Sequence, residues 1–137
     1  MATRKRRTFP ATACAVSWKL RRWGGMTMPV RQELLRQTLK LLRRARPLVE
    51  AVSRKDRDLG SQLLRALSSI PLNTAEGFGS TGGNARLRYR TALGSLYEAQ
   101  VALAVASVWG YVDEARTAAV IAELEALGGR LYGLARR

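Results

Sequence analysis

Between Leu34 and Val52 one pattern restricts the fold more than any other. Leu34, Thr38, Leu41, Ala45, Leu48 and Val52 recur in alternating steps of four and three, with Leu35, Leu42 and Val49 beside them. A strand turns each successive side chain to the opposite face, whereas an α-helix gathers this spacing into one wide stripe. Arg36, Lys40, Arg43 and Arg44 fall on the other side, with Glu33 the main acid among them. A helix with so broad an apolar stripe is stable only against other helices or a sheet, so the rest of the chain must supply partners.

It supplies three more helical patterns. Leu59, Leu63, Leu67, Ile70 and Thr74 line a second helix; Leu87, Leu93, Leu96, Tyr97, Leu103 and Val108 are core candidates in a third; Val120, Ile121, Leu124, Leu127, Leu131 and Leu134 line a fourth. The predicted spans are Val30 to Ser53, Asp58 to Gly77, Asn84 to Trp109 and Asp113 to Ala135, with Asn84 and Asp113 as N-caps. Pro47 is expected to kink or split the first helix and Pro71 to bend the second. Gly77, Gly79, Gly82 and Gly83 are expected to stop the second helix and form a loop free to adopt positive φ. Gly94, Ser95, Gly128, Gly129 and Gly133 offer small surfaces for close packing within or between subunits. Long amphipathic helices joined by short connections favour antiparallel neighbours, so the expected fold is all-α, an antiparallel up-and-down four-helix bundle. The expected organisation is a basic, largely irregular arm over 1–29 and one bundle domain over 30–137.

Charge is the second strong signal. The 137 residues hold 24 Lys and Arg against 10 Asp and Glu, a formal net charge of +14. Seven of those cations (Arg4, Lys5, Arg6, Arg7, Lys19, Arg21 and Arg22) lie in the arm, with no acid among them. Such an excess favours acidic partners, nucleic acid first. The cations expected to contact phosphate are Arg36, Lys40, Arg43 and Arg44, extended by Arg54, Lys55 and Arg57, with Arg86 beside the glycine-rich loop. Without a groove-reading motif they are expected to position a backbone and read little sequence.

Catalysis finds little support. The chain has no histidine and a single cysteine, Cys14, which removes imidazole catalysis, intrachain disulfides and Cys/His metal sites. Gln62, Arg65, Asn73, Glu76 and Glu98 read either as paired carboxylates with supporting polar groups or as a buried structural network centred on Arg65. The network is the preferred reading, because di-metal bundles combine their carboxylates with His. GFGSTGG lacks the Lys-Ser/Thr ending of a phosphate-binding loop and follows a helix, so a plain interhelical connection is expected. Tyr89, between Arg88 and Arg90, is the aromatic kept open for base stacking. No apolar run approaches the roughly 20 residues that span a bilayer, so a cytoplasmic protein without membrane contact is expected.

Four pieces carry a resemblance: SQLLRALSSIPLNTAEGFG, RYRTALGSLYEAQ, WGYV and LGGRLYGLARR, in this order. Together they resemble the bacterial four helix bundle protein family, whose first members are encoded in intervening sequences of 23S ribosomal RNA genes. The likeness covers roughly Leu34 to Arg137; the chain departs from it in lacking an aromatic-rich opening to the first helix and in its loop STGGN. The resemblance implies a ring-like homopentamer. It also implies distant kinship with the accessory protein of diversity-generating retroelements, a basic pentamer that binds nucleic acid and a reverse transcriptase. The expected protein is therefore a non-enzymatic, cofactor-free oligomer that binds RNA or a nucleic acid–protein complex. The alternative is a scaffold or accessory subunit for a reverse transcriptase.

Overall fold

The computed structural model describes residues 28–137, all of whose regular structure is helical. Four helices follow one another: α1 (Met28–Lys55), α2 (Arg57–Phe78), α3 (Gly82–Val108) and α4 (Glu114–Ala135). α1 begins two residues before the expected start; the rest of the expected arm lies outside the described residues.

The stripe that set the expectation is the inner face of α1. Leu34, Thr38, Leu41, Ala45, Leu48 and Val52 are all buried, and Leu35, Leu42 and Val49 are half-buried beside them. Thr38 and Thr74 enter the core by donating their hydroxyl hydrogens to the carbonyls of Leu34 and Ile70, four residues back, at 2.8 and 2.7 Å. That removes the penalty of a buried, unpaired hydroxyl. The core is completed by Leu63, Leu67 and Ile70 of α2, Leu93, Leu96 and Leu103 of α3, and Leu124, Leu127 and Leu131 of α4.

Neighbours in sequence are neighbours in space, and α1 closes the ring on α4. The run of each contact shows that adjacent helices are antiparallel. Arg31 at the start of α1 donates to the carbonyl of Phe78 at the end of α2 (3.0 Å), and the Phe78 ring meets Tyr89 near the start of α3 edge-on, centroids 6.0 Å apart. Gln37 and Arg44 of α1 bond Arg130 and Glu123 of α4, so one chain position rises as the other falls. The expected up-and-down bundle is the observed fold.

Several local expectations need correction. Pro47 does not split α1, which runs on to Lys55, and α2 likewise continues through Pro71. Gly77 does not stop α2: it is buried inside it, and a Cβ there would lie 2.3 Å from the Tyr89 ring. Gly79 caps the helix with φ −85°, and only Gly82 in the loop has positive φ, 54°. α3 opens at Gly82 after Thr81, not at Asn84, and Thr81 makes no side-chain capping bond. Asp113 caps α4 as expected, accepting from the Arg116 amide at 3.0 Å, and Asp56 does the same for α2 through the Leu59 amide at 2.9 Å.

The largest difference concerns α3. Leu87, Tyr97 and Val108, expected in the core, are exposed, as are Val101 and Val105. Apolar side chains occupy both the inner and outer faces of α3, so spacing alone gives no phase. Contrary to the sequence expectation, α3 is long and apolar enough to cross a membrane by length and composition, though its inner side is spent on the bundle core.

Candidate nucleic-acid interface

The eight expected phosphate contacts are all exposed, but they do not form one surface. Arg36, Lys40, Arg43 and Arg44 lie along the outside of α1, and two of them are neutralised. Arg36 hydrogen-bonds Glu33, one turn earlier, and Arg44 bonds Glu123 of α4. The Arg36 bond, followed by one from Gln37, holds the Glu33 carboxyl below its ordinary pKa. Lys40 and Arg43 have no ion pair among the described residues. These exposed pairs stabilise the fold by at most about 1 kcal/mol each, but they lower the charge available to a polyanion.

Arg54, Lys55 and Arg57 sit at the far end of the bundle, where α1 turns into α2 through the single residue Asp56. Arg54 and Lys55 occupy the last turn of α1, where the helix dipole favours cations. Asp56 and Asp58 are interleaved with them. Beside this cluster, Pro47, Glu50, Arg54, Tyr111 and Arg116 line an open depression of about 480 Å³, in which charges of both signs alternate.

Arg86 lies at the opposite end, in the first turns of α3. It has company that the sequence reading passed over. Arg88 and Arg90 follow it on α3, Arg31 approaches from α1, and Arg136 and Arg137 end α4. Arg136 lies over the Tyr132 ring, 5.4 Å from its centroid. The missed signal was available: it is the sum of charge over whichever helix ends the antiparallel topology brings together.

The expected buried network is not found. Gln62, Arg65, Glu76 and Glu98 are exposed, and only Asn73 is half-buried. The buried arc of α2 runs through Leu63, Ala66, Leu67, Ile70, Thr74 and Gly77, which turns Gln62 and Arg65 outward. Water solvates the Arg65 charge there, so burial with a partner is unnecessary. A smaller polar ladder does cross the α2–α3 seam. Ser95 donates to Ser69 at 2.8 Å, Asn73 donates to the Ser69 carbonyl and hydroxyl at 3.0 and 2.9 Å, and Glu76 pairs with Arg88 at 2.9 Å.

Tyr89 is also reassigned. It is buried between Phe78 and Gly77, so its ring is part of the packing and presents no face for a base. Burial raises its phenol pKa above the ordinary value, with nearby Arg31 acting in the opposite direction. Among the described residues, no three His, Cys, Asp or Glu side chains converge as metal ligands would.

The arrangement thus offers guanidinium groups from three helices at one end of the bundle. No curated protein matches the chain. The family described as 23S rRNA-intervening sequence protein matches residues 32–133, nearly the whole four-helix unit, and the chain belongs to that family.

Proposed function

We propose that this protein is a non-catalytic RNA-binding protein that holds the phosphate backbone through its cationic surface and assembles with copies of itself. The observation that carries the first part is the charge, +14 on 137 residues. Nearly all of it is Arg, whose planar guanidinium donates two parallel hydrogen bonds to a phosphate. The family's association with 23S rRNA intervening sequences favours RNA as the polyanion. With no groove-reading element among the described residues, binding should discriminate little between sequences. The cytoplasm is the compartment this reading implies, and no membrane contact belongs to it.

Self-assembly is supported by the outside of α3. Tyr97, Val101 and Val108 follow one another at helical spacing on its outer face, Val101 62% and Val108 83% exposed. Next to them α4 presents Ala118, Ala122 and Gly129, all exposed, and a Cβ added at Gly129 would meet nothing within 4 Å. Bulky groups on one helix and small groups on the next suit a head-to-tail contact between copies, the kind that forms a ring where the rotation between copies closes. A pentamer is the preferred size, on the resemblance described above. The same face is what favours the other reading, an accessory subunit docked on a reverse transcriptase.

The test is binding of a mixed-sequence single-stranded RNA and its scrambled counterpart over a salt series, with light scattering of the purified chain. The proposal expects similar affinities for both RNAs, a log–log salt slope of about −0.7 per phosphate contacted, and a mass well above 15.1 kDa. Absence of RNA binding at low salt would refute the RNA reading. A monomer would refute self-assembly and leave the α3 face for a different protein.

A further inference from the structure

The net charge of the described residues is concentrated in one half of the bundle. Cutting every helix at its midpoint groups residues 28–41, 68–95 and 125–137 into the half that contains the glycine-rich loop. This half holds nine cations. α1 contributes Arg31, Arg36 and Lys40; α3 contributes Arg86, Arg88 and Arg90; and Arg130, Arg136 and Arg137 come from the C-terminal part of the chain. Its acids are three, Glu33, Glu76 and Glu125, so its net charge is +6. The other half, 42–67 and 96–124, holds eight cations and seven acids, a net of +1.

The two halves hold nearly equal numbers of cations, nine and eight, and differ in their acids, three against seven. α2 and α4 begin in the neutral half, and acids at their starts (Asp56 and Asp58, Asp113 and Glu114) offset the cations Arg57 and Arg116 beside them. α1 and α3 begin in the basic half, and neither has an acid in its first turn. Arg31 and Arg86 follow those first turns as the fourth residue of α1 and the fifth of α3. The cations of this half are thus left with few acids to offset them, and its field attracts a polyanion more strongly than that of the other half. The chain before Met28 adds seven cations without an acid, covalently joined to this same end.

We infer that the loop end of the bundle, and not the outer face of α1, is the surface that grips the RNA backbone, through Arg86, Arg90, Arg136 and Arg137 in particular. This rests on the RNA-binding reading and refines it. These four are exposed and make no ion pair among the described residues, so each is available to a phosphate. Arg88 contributes field but is already tied to Glu76. The loop end also draws anions through the first amides of α3, which Thr81 leaves without a side-chain cap.

Two full-length variants of equal charge loss test the inference. The first carries Arg86→Gln, Arg90→Gln, Arg136→Gln and Arg137→Gln. The second carries Arg54→Gln, Lys55→Gln, Arg57→Gln and Arg116→Gln at the opposite end. Both are checked for helicity and mass, then titrated with the same single-stranded RNA at several salt concentrations. The loop-end variant is expected to bind at least about tenfold more weakly near 0.1 M salt, with its salt slope reduced by up to about 3 for four contacts. The opposite-end variant is expected to stay within about twofold of wild type. Equal losses would show that charge acts without location, and a larger loss in the second variant would place the surface elsewhere; either overturns the inference while leaving RNA binding intact. Failure of the wild type to bind refutes the RNA reading itself. Should the loop-end variant misfold, Arg136→Gln with Arg137→Gln alone, beyond the end of α4's packing, is expected to show about half the reduction in slope, and an unchanged slope would count against the inference.

Discussion

Replacing Gly60 by Ala tests how α1 and α2 are joined. Only Asp56 separates the two helices, and a hairpin that tight brings their backbones together where Gly60 faces Ser53. A Cβ on residue 60 would lie 2.3 Å from the Ser53 hydroxyl oxygen, 2.7 Å from its Cα and 2.9 Å from its Cβ. The hydroxyl can rotate away, but the Cα cannot, so α1 and α2 must separate. Overpacking of this kind costs about 1–3 kcal/mol, and an obstacle made of backbone puts it in the upper part of that range. Ala is favoured over Gly inside a helix by about 0.5–1 kcal/mol, leaving a net loss of about 1–2 kcal/mol. In urea this lowers the midpoint by about 0.5–1 M at an m-value near 2 kcal/mol per M. Circular dichroism at a fixed protein concentration measures it. Ser53→Ala should not rescue the variant, because the Cα and Cβ contacts persist. Gly94→Ala is the matched control: nothing lies within 4 Å of a Cβ there, and monomer stability should rise by the helix term alone. A Gly60→Ala protein as stable as wild type would refute the reasoning, since propensity would then outweigh the clash.

Arg65→Ala should change stability by no more than about 0.5 kcal/mol, as for an exposed side chain, which urea unfolding checks; a loss of several kcal/mol would restore a buried partner. Val101→Glu, on the outer face of α3, should keep the helical spectrum and reduce the light-scattering mass to that of a monomer. Tyr89 should give a pH signature. Its folded pKa is raised by burial, so its contribution to stability is complete below the ordinary value of 10.0 and is lost as pH rises through the folded value. Urea midpoints of wild type should therefore fall more steeply from about pH 9 to about pH 11 than those of Tyr89→Phe; parallel slopes would argue that the ring is solvated.

Much of the fold was legible because α1 divides so sharply between its two sides. Six positions read from spacing are the six that the bundle buries. α3 was harder for a physical reason: with apolar residues all round, nothing in its sequence says which side meets the core, so Leu87, Tyr97 and Val108 were assigned inward. For Arg65 and Glu98, the lack of His argues against a di-metal role but says nothing about whether a charged side chain is buried, and both are exposed. The roles of Gly60 and Gly77 depend on which side chain arrives from another helix, Ser53 or the Tyr89 ring, and no local pattern encodes that. The candidate surface was legible in principle. The charges themselves are in the sequence; their segregation appears only when four antiparallel helices are laid side by side and their ends are counted together.

Ultraviolet cross-linking of the full chain to a single-stranded RNA, followed by identification of the cross-linked peptides by mass spectrometry, tests the central claim most directly. Cross-links confined to peptides of the loop end, those containing Arg86 to Arg90 and Arg130 to Arg137, with or without the chain before Met28, are the predicted result. Cross-links concentrated instead on peptides containing Arg43, Arg44, Arg54 and Arg57, in the electrically balanced half, would contradict it.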